Sequence, residues 1–226
     1  MSIKVATWLE TSFIDWDGNI TAVLFTPGCN FRCPFCHNHE IVFYKGEGAP
    51  LEEVLESLEK YKEWLDGIVI SGGEPTIHEM LPDAIKMIKE KGWKVKLDTN
   101  GSNPEMIELL LKEQLVDYIA MDIKTSFDKY EKVTGVKVNK EAILRSIKIL
   151  LPLEGKVEFR TTVVPHAVSA EDIREIRKII GSRAKYVLQA FSPENTSNPF
   201  FKNLKPYKAC EVRLWDKNAI LRGFKD

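Results

Sequence analysis

No apolar run in this chain approaches the roughly 20 residues that a membrane-spanning helix needs, and the N-terminus lacks the long apolar stretch and small-residue cleavage site of a signal peptide. Both absences place the expected protein in the cytoplasm, with no membrane partner. A basic excess is missing too. The 226 residues carry a formal net charge of −1, which argues against a non-specific nucleic-acid binder. Glutamine is scarce, confined to Gln114 and Gln189, while Lys and Glu are abundant and interspersed, a bias that hints at a thermophilic source. Linkers, low-complexity runs and internal repeats are absent. One domain over residues 1–226 is therefore expected, with an N-terminal hairpin over about 1–19, a core over about 20–193 and a C-terminal extension over about 194–226. Cysteine is sparse as well, and three of the four cysteines fall within eight residues. A secreted disulfide scaffold would be shorter and would spread them. In a reducing compartment the tight triplet reads as a metal or cluster site, and the solitary Cys210 as a buried, unreactive thiol.

What is present alternates between strand and helix patterns. Two β-rich stretches flank Asp17-Gly18, a dipeptide that favours a hairpin turn. The second, Ile20 to Phe25, leads into Pro27-Gly28 and the cysteines. Apolar residues from Leu51 to Leu65 recur at helical spacing behind Pro50. Gly67 to Ile70 reads as a buried parallel strand, and a helix over roughly Met80 to Lys91 stops at Gly92. Then follow strand (Trp93 to Leu97), helix (Pro104 to Glu113), strand (Val116 to Met121), helix (Lys140 to Leu151), strand (Lys156 to Val164), helix (Ala170 to Ile180) and strand (Lys185 to Phe191). Six βα steps predict an α/β fold with a parallel sheet and right-handed crossovers. Periodicity leaves two architectures open, a doubly wound sheet and a partial barrel.

The chemically unusual residues fall after successive strands. Cys29 to Cys36 follows the first, Ser71-Gly72-Gly73-Glu74-Pro75 the second, and Asp98-Thr99-Asn100-Gly101 the third. Asp122-Ile123-Lys124 ends the fourth, Arg160-Thr161-Thr162 lies on the fifth, and Gln189 to Ser192 closes the sixth. Ligands in parallel α/β folds bind at the carboxyl ends of strands, so six such signatures predict a ring around one site. Three thiolates on one short loop can wrap one face of a cubane cluster and leave one iron open, the mark of a catalytic metal site. A zinc site completed by His37 or His39 is the alternative. Adjacent glycines allow a close backbone approach to a ligand, and the carboxylate of Glu74 suits an ammonium group. The plainer readings are a Gly-Gly loop, turn chemistry for Asn100-Gly101, and a salt bridge between Asp122 and Lys124. His78 and His166 show no partner pattern and read as surface histidines.

Cys29-Asn30-Phe31-Arg32-Cys33-Pro34-Phe35-Cys36 resembles the Cys-x3-Cys-x2-Cys signature of radical S-adenosylmethionine (SAM) enzymes. The longer string from Phe25 to Asn38, with Asp98-Thr99-Asn100-Gly101 and Asp122-Ile123-Lys124, is similar to the glycyl-radical-enzyme activases in particular. Within them the chain is most similar to the anaerobic ribonucleoside-triphosphate reductase activating proteins, on Leu9 to Gly18 and on Leu188-Gln189-Ala190-Phe191. The likeness extends from about Ile3 to Pro193. It implies a partial (β/α)6 barrel of the TIM-like kind. It also implies a [4Fe–4S] cluster on Cys29, Cys33 and Cys36, with SAM chelating the fourth iron. Phe35 would lie near the adenine, Gly72, Gly73 and Glu74 at the methionine ammonium, and Lys124 at the carboxylate. Arg160 and Thr162 would line the nucleoside side. Asp98, Thr99 and Asp122 would bind a monovalent cation, with Asp98 also counted among the cofactor residues. Pyruvate formate-lyase activases carry a histidine near the end of the sixth strand, where this chain has Gln189, so that cofactor contact must differ or be absent here.

The resemblance further implies an activity. One electron from a donor such as flavodoxin or ferredoxin cleaves SAM to methionine and a 5′-deoxyadenosyl radical, which takes a hydrogen from the Cα of a glycine in a partner enzyme. That partner is expected to be anaerobic ribonucleoside-triphosphate reductase, with pyruvate formate-lyase as the alternative. A zinc-stabilised binding module without catalysis is the alternative of another class. The Asp15-to-Gly18 turn and the segment from Asn195 to Phe201 are candidate partner contacts, each with an ordinary surface loop as its plainer reading.

Overall fold

Runs of β-branched and apolar residues make the strands of this chain, and most are buried on both faces, as parallel strands are. The computed structural model describes residues 3–194 and 196–225, which divide into two compact units. The first comprises the described residues up to Asn30, Glu40–Thr99 and Asn103–Ile119, and the second Phe31–His39, Asn100–Ser102 and the described residues from Ala120 on.

In the first unit β1 (Lys4–Val5) lies outside the main sheet. The main strands begin with β2 (Thr7–Ser12) and β3 (Thr21–Thr26), an antiparallel pair. Their hairpin turns at Asp17-Gly18, where Gly18 has φ 76° and the Asn19 N–H donates to Trp16 O at 3.0 Å. After α1 (His39–Val42), β4 (Ala49–Pro50) pairs antiparallel with β1. Pro50 then stands directly before α2 (Leu51–Leu58), whose Leu51, Val54, Leu55 and Leu58 are buried. Next comes β5 (Gly67–Gly72), parallel to β3 with Thr26 opposite Gly72. It is followed by α3 (Leu81–Glu90), β6 (Lys94–Thr99), which is parallel to β5, and α4 (Pro104–Lys112). Asn103 starts α4 by accepting the Met106 N–H at 3.2 Å, a capping bond. Ala22, Leu24, Ile68, Ile70, Val95 and Leu97 are buried together with the apolar faces of these helices.

β7 (Tyr118–Asp122) runs from the first unit into the second. Beyond it lie α5 (Tyr130–Thr134), α6 (Lys140–Leu150), β8 (Val157–Val163), α7 (Ala170–Ile180) and β9 (Tyr186–Ala190). The chain closes with α8 (Pro199–Lys202), α9 (Ala209–Val212) and β10 (Ile220–Arg222). β7 neighbours β8, which is parallel to β9, and β9 is parallel to β10. Asn139 caps α6, and Ser169 with Asp172 forms a capping box on α7. Ile143, Ile147 and Leu150 of α6 and Ile173, Ile176 and Ile180 of α7 are buried with Phe159, Val187 and Leu188.

The expected α/β class and the partial (β/α)6 arrangement are found, since β3, β5, β6, β7, β8 and β9 are each followed by a helix. One local expectation needs correction, and two elements were not foreseen. The helix read over Leu51 to Leu65 ends at Leu58 and gives way to a 3₁₀ turn over Glu59–Tyr61, leaving Trp64 72% exposed. Only Leu65 of that later stretch reaches the core, because the chain is already turning toward β5. α5 and β10, by contrast, carry no periodic signal long enough to announce them. Among the described residues no helix is long and apolar enough to cross a membrane.

Candidate functional site

In the first unit, Pro27-Gly28-Cys29 leaves the carboxyl end of β3, and the loop is held by backbone bonds. Gly28 donates to Ile41 O at 3.0 Å and its carbonyl accepts the Glu74 N–H at 2.9 Å. Gly73 donates to Thr26 O at 3.0 Å. The Gly72-Gly73 pair is required by this contact. Gly72 has φ 114°, and a Cβ on Gly73 would lie 1.6 Å from Gly28 O. The close approach expected of the two glycines is thus made here to the cysteine loop itself. Cys29 is partly buried, with Sγ 4.0 Å from Asn30 Oδ1.

Glu74 is buried, and its Oε1 accepts from Thr76 N at 3.1 Å, Thr76 Oγ1 at 2.6 Å and Thr99 Oγ1 at 2.7 Å. These bonds tie the end of β5 to the end of β6. Asp98 lies one residue before Thr99. Its Oδ1 is 3.1 Å from the Lys96 ammonium, and its Oδ2 accepts from Ser71 Oγ at 3.3 Å. His78, read from sequence as a surface residue, is half-buried, with Nε2 2.9 Å from Pro27 O. The carbonyl can only accept, so Nε2 carries the proton. Burial pushes the ring's pKa down, and the bond to Pro27 works the other way. This brace on the residue two before Cys29 had no sequence signal beyond the histidine itself.

In the second unit the segment from Arg32 to Cys36 is clamped from two sides. Arg32 N donates to Thr134 O at 2.8 Å, and Gly135, with φ 73°, would bring a Cβ to 2.5 Å from Arg32 O. From the C-terminal region, Asn198 N and Ser197 Oγ donate to Pro34 O at 3.1 and 2.9 Å. Phe35 is buried with Val133, Val164, Phe191 and Phe201, and Cys33 packs against this cluster. Its ring meets that of Phe201 edge-on at 5.8 Å. Asn195, at the start of the second candidate partner contact, lies outside the described residues. Phe200 of that segment is 55% exposed.

Charge gathers at the end of β7 and at the middle of β8. The Asp122 carboxylate accepts from Arg160 Nε at 2.7 Å and from Lys124 Nζ at 2.9 Å. Burial works against these charges, yet the Arg160 and Lys124 cations hold the Asp122 carboxyl well below the usual range. Lys124 is likewise driven upward against burial, by Asp122 and then Cys33. Burial pushes the Cys36 thiol up, with Lys124 pulling it down. Lys124 thus offsets part of the burial penalty on the Cys36 thiolate. The Lys124 N–H also donates to the hydroxyl of the fully buried Tyr130 at 3.4 Å. Tyr130 stacks on Phe127 at 5.3 Å and meets Phe31 edge-on at 6.4 Å. It links Lys124 to the cysteine segment, a role that sequence reasoning missed because α5 was not foreseen. Thr162 and Gln189 stand opposite each other on β8 and β9, and Thr162 shares a strand face with Arg160.

Other residues fall apart from this arrangement. Cys210 is exposed on α9, not buried as expected, because only Val212 of that four-residue helix turns inward. His166 is exposed beside Phe200, as read from the sequence. At the first candidate partner contact Trp16 is buried against Val23 and Val69, while Phe13 and Ile14 before it are 72% and 77% exposed.

All four cysteines are free thiols. Among the described residues no three His, Cys, Asp or Glu side chains are gathered as ligands of a single metal ion are. A cubane asks for something different, since each thiolate binds its own iron. The donor set fits that demand, with three partly buried thiols on one loop and a lysine beside two of them.

Comparison with known proteins bears on the same residues. Residues 23–180 match the family model of the radical SAM superfamily. A protein of Methanocaldococcus jannaschii, provisionally named a glycyl-radical enzyme activating enzyme, is 38% identical over 224 residues, covering 97% of this chain and 92% of its own. The pyruvate formate-lyase-activating enzyme of Clostridium pasteurianum is 31% identical over 208 residues, 88% of this chain and 86% of its own. In fold, 89% of this chain superposes on Streptococcus suis SuiB, solved with its precursor peptide SuiA, at TM-score 0.70 and 17% identity. This chain spans 48% of SuiB. With the family model covering most of the chain and near full-length relatives above 30% identity, this protein belongs to the radical SAM superfamily of enzymes and, within it, to the glycyl-radical-enzyme activating enzymes.

Proposed function

We propose that the whole chain acts as one radical SAM domain that makes a glycyl radical on a partner enzyme. The observation that carries this reading is the clamped Cys33–Cys36 segment beside Lys124, with Asp122 and Arg160 behind it. Membership of the superfamily implies a [4Fe–4S] cluster and SAM as cofactors. When bound, they supply a 5′-deoxyadenosyl radical by one-electron cleavage of the sulfonium, and that radical takes a hydrogen from the Cα of a glycine.

This chain's residues then have separable tasks. Cys29, Cys33 and Cys36 hold three irons as thiolates, losing their protons on binding. Gly72, Gly73 and Glu74 shape the wall for the methionine ammonium. Lys124, kept charged by Asp122, takes the methionine carboxylate. Arg160, Thr162 and Gln189 border the nucleoside, and Phe35 stands on the adenine side. Together they orient the cofactor and exclude water and stray hydrogen donors. No proton-transfer pair is required.

For the partner, the opening segment Leu9 to Gly18 and Leu188 to Phe191 favour anaerobic ribonucleoside-triphosphate reductase. A second reading, pyruvate formate-lyase, is supported by the 31% identity to its activating enzyme from C. pasteurianum. The setting is a reducing cytoplasm, with flavodoxin or ferredoxin as donor. The test is anaerobic reconstitution with iron and sulfide, then dithionite and SAM. Formation of 5′-deoxyadenosine is expected, and its complete absence from iron-loaded protein would sink the activity. Mixing with each candidate partner and recording electron paramagnetic resonance spectra separates the two readings, because only the true partner acquires a glycyl radical.

A further inference from the structure

The resemblance makes Asp98, Thr99 and Asp122 ligands of a monovalent cation, and the structure disagrees. Strand β6 alternates its side chains, so Lys96 and Asp98 share one face. The Lys96 side chain is 1% exposed, and its ammonium lies 3.1 Å from Asp98 Oδ1. The same ammonium donates to the backbone carbonyl of Asp15 in the hairpin. Lysine is almost never fully buried without a partner, because an unpaired ammonium loses its hydration. This one has a carboxylate and a carbonyl. Asp122, in the other unit, is matched by two cations of its own, Arg160 and Lys124. A metal ion brought to Asp98 would face a resident ammonium in a poorly hydrated place, where like charges repel most strongly. The residues do not fit the ion.

We propose that Lys96 is a built-in counter-cation: its buried ammonium holds Asp98 at the end of β6 in the place a monovalent metal ion would take, so that this protein needs no such ion. Lys96 is a positioning residue, acting through Asp98 and through its hold on the Asp15 carbonyl. The inference goes beyond the partner question, and a thermal midpoint reads it without turnover.

The experiment compares KCl, NaCl and N-methylglucamine chloride at equal ionic strength, using cluster-loaded protein under anaerobic conditions. Wild type is expected to melt at one midpoint and bind SAM with one affinity in all three salts. K96M is expected to lose about tenfold or more in SAM affinity, and to regain part of it in KCl or NaCl but not in N-methylglucamine. A merely structural loss would show no ion-selective rescue. Three results overturn the proposal. One is a saturable rise of the wild-type midpoint, roughly 5 °C or more, with either metal ion. Another is a K96M variant that binds SAM like wild type in every salt. The third is a loss of affinity that no ion relieves. Should K96M fail to fold, the wild-type series still decides whether an ion binds, and K96Q, with a polar head on a shorter stem, carries the second arm.

Discussion

Gly73 and His78 act on the stretch that delivers Cys29, one through space and the other through a proton. A methyl on Gly73 would sit 1.6 Å from the Gly28 carbonyl oxygen, against backbone that cannot rotate away. Gly73→Ala is therefore expected to cost about 1–3 kcal/mol and to lower iron content after reconstitution. Denaturant melts and iron analysis check both. His78 contributes through its neutral form. Burial lowers its pKa in the folded protein below the ordinary value of 6.5, so the unfolded chain binds the proton more readily. The stability gained is present above about 6.5 and drains away as the pH falls below it. Relative to wild type, His78→Gln should show a shallower loss of thermal midpoint on acidification below about pH 6.5. Equal slopes for the two proteins would contradict this.

At the scale of elements, α5 and α7 make a useful contrast. Gly135 closes α5 in the left-handed region with Arg32 O beneath it. Gly135→Ala brings both strain and a clash, and is expected to cost about 1–3 kcal/mol together with iron uptake. Ser169 caps α7 as half of a capping box. Ser169→Ala should cost about 1 kcal/mol and leave iron binding intact. Parallel measurement of unfolding and iron content tells the two apart. If both variants lost iron in proportion to stability alone, the clamp on the cysteine segment would have no role beyond folding. α5 escaped sequence reading because five residues make little more than one turn, too short for a 3.6-residue period to show. Helices α2, α3, α4, α6 and α7 were legible because their buried residues recur over two turns or more and their ends carry Pro, Asn, Ser or Gly.

Over the whole molecule, the residues past Pro193 matter more than their lack of pattern suggests. Ser197 and Asn198 bond to Pro34, and Phe201 covers Phe35 and Phe191. β10 pairs with β9, and Arg222 with Lys185 meets the buried Glu158 carboxylate at 3.0 and 3.1 Å. Truncation after Pro193 would bare two phenylalanines and leave Glu158 with one of these two cations. Such a chain is expected to aggregate and to retain little iron, as size-exclusion chromatography and iron analysis would show. A monomeric, iron-loaded truncated protein would refute this.

Local pattern alone determined the βα order, the α/β class and the three thiols on their loop, because periodicity, capping residues and cysteine spacing are properties of neighbours along the chain. The placement of Glu74, Asp98, Asp122, Lys124 and Gln189 at or near strand ends was legible for the same reason, whereas Arg160 lies in the middle of β8. Tertiary structure decided what those groups meet. Glu74 accepts hydroxyls from Thr76 and Thr99, Asp122 is shared by Arg160 and Lys124, and Asp98 is matched by a lysine two residues before it. Pairing of this kind depends on which side chains are buried together and stripped of water. A lysine in a strand pattern looks like a solvent-facing residue until the fold closes over it, and only then does its charge meet a carboxylate.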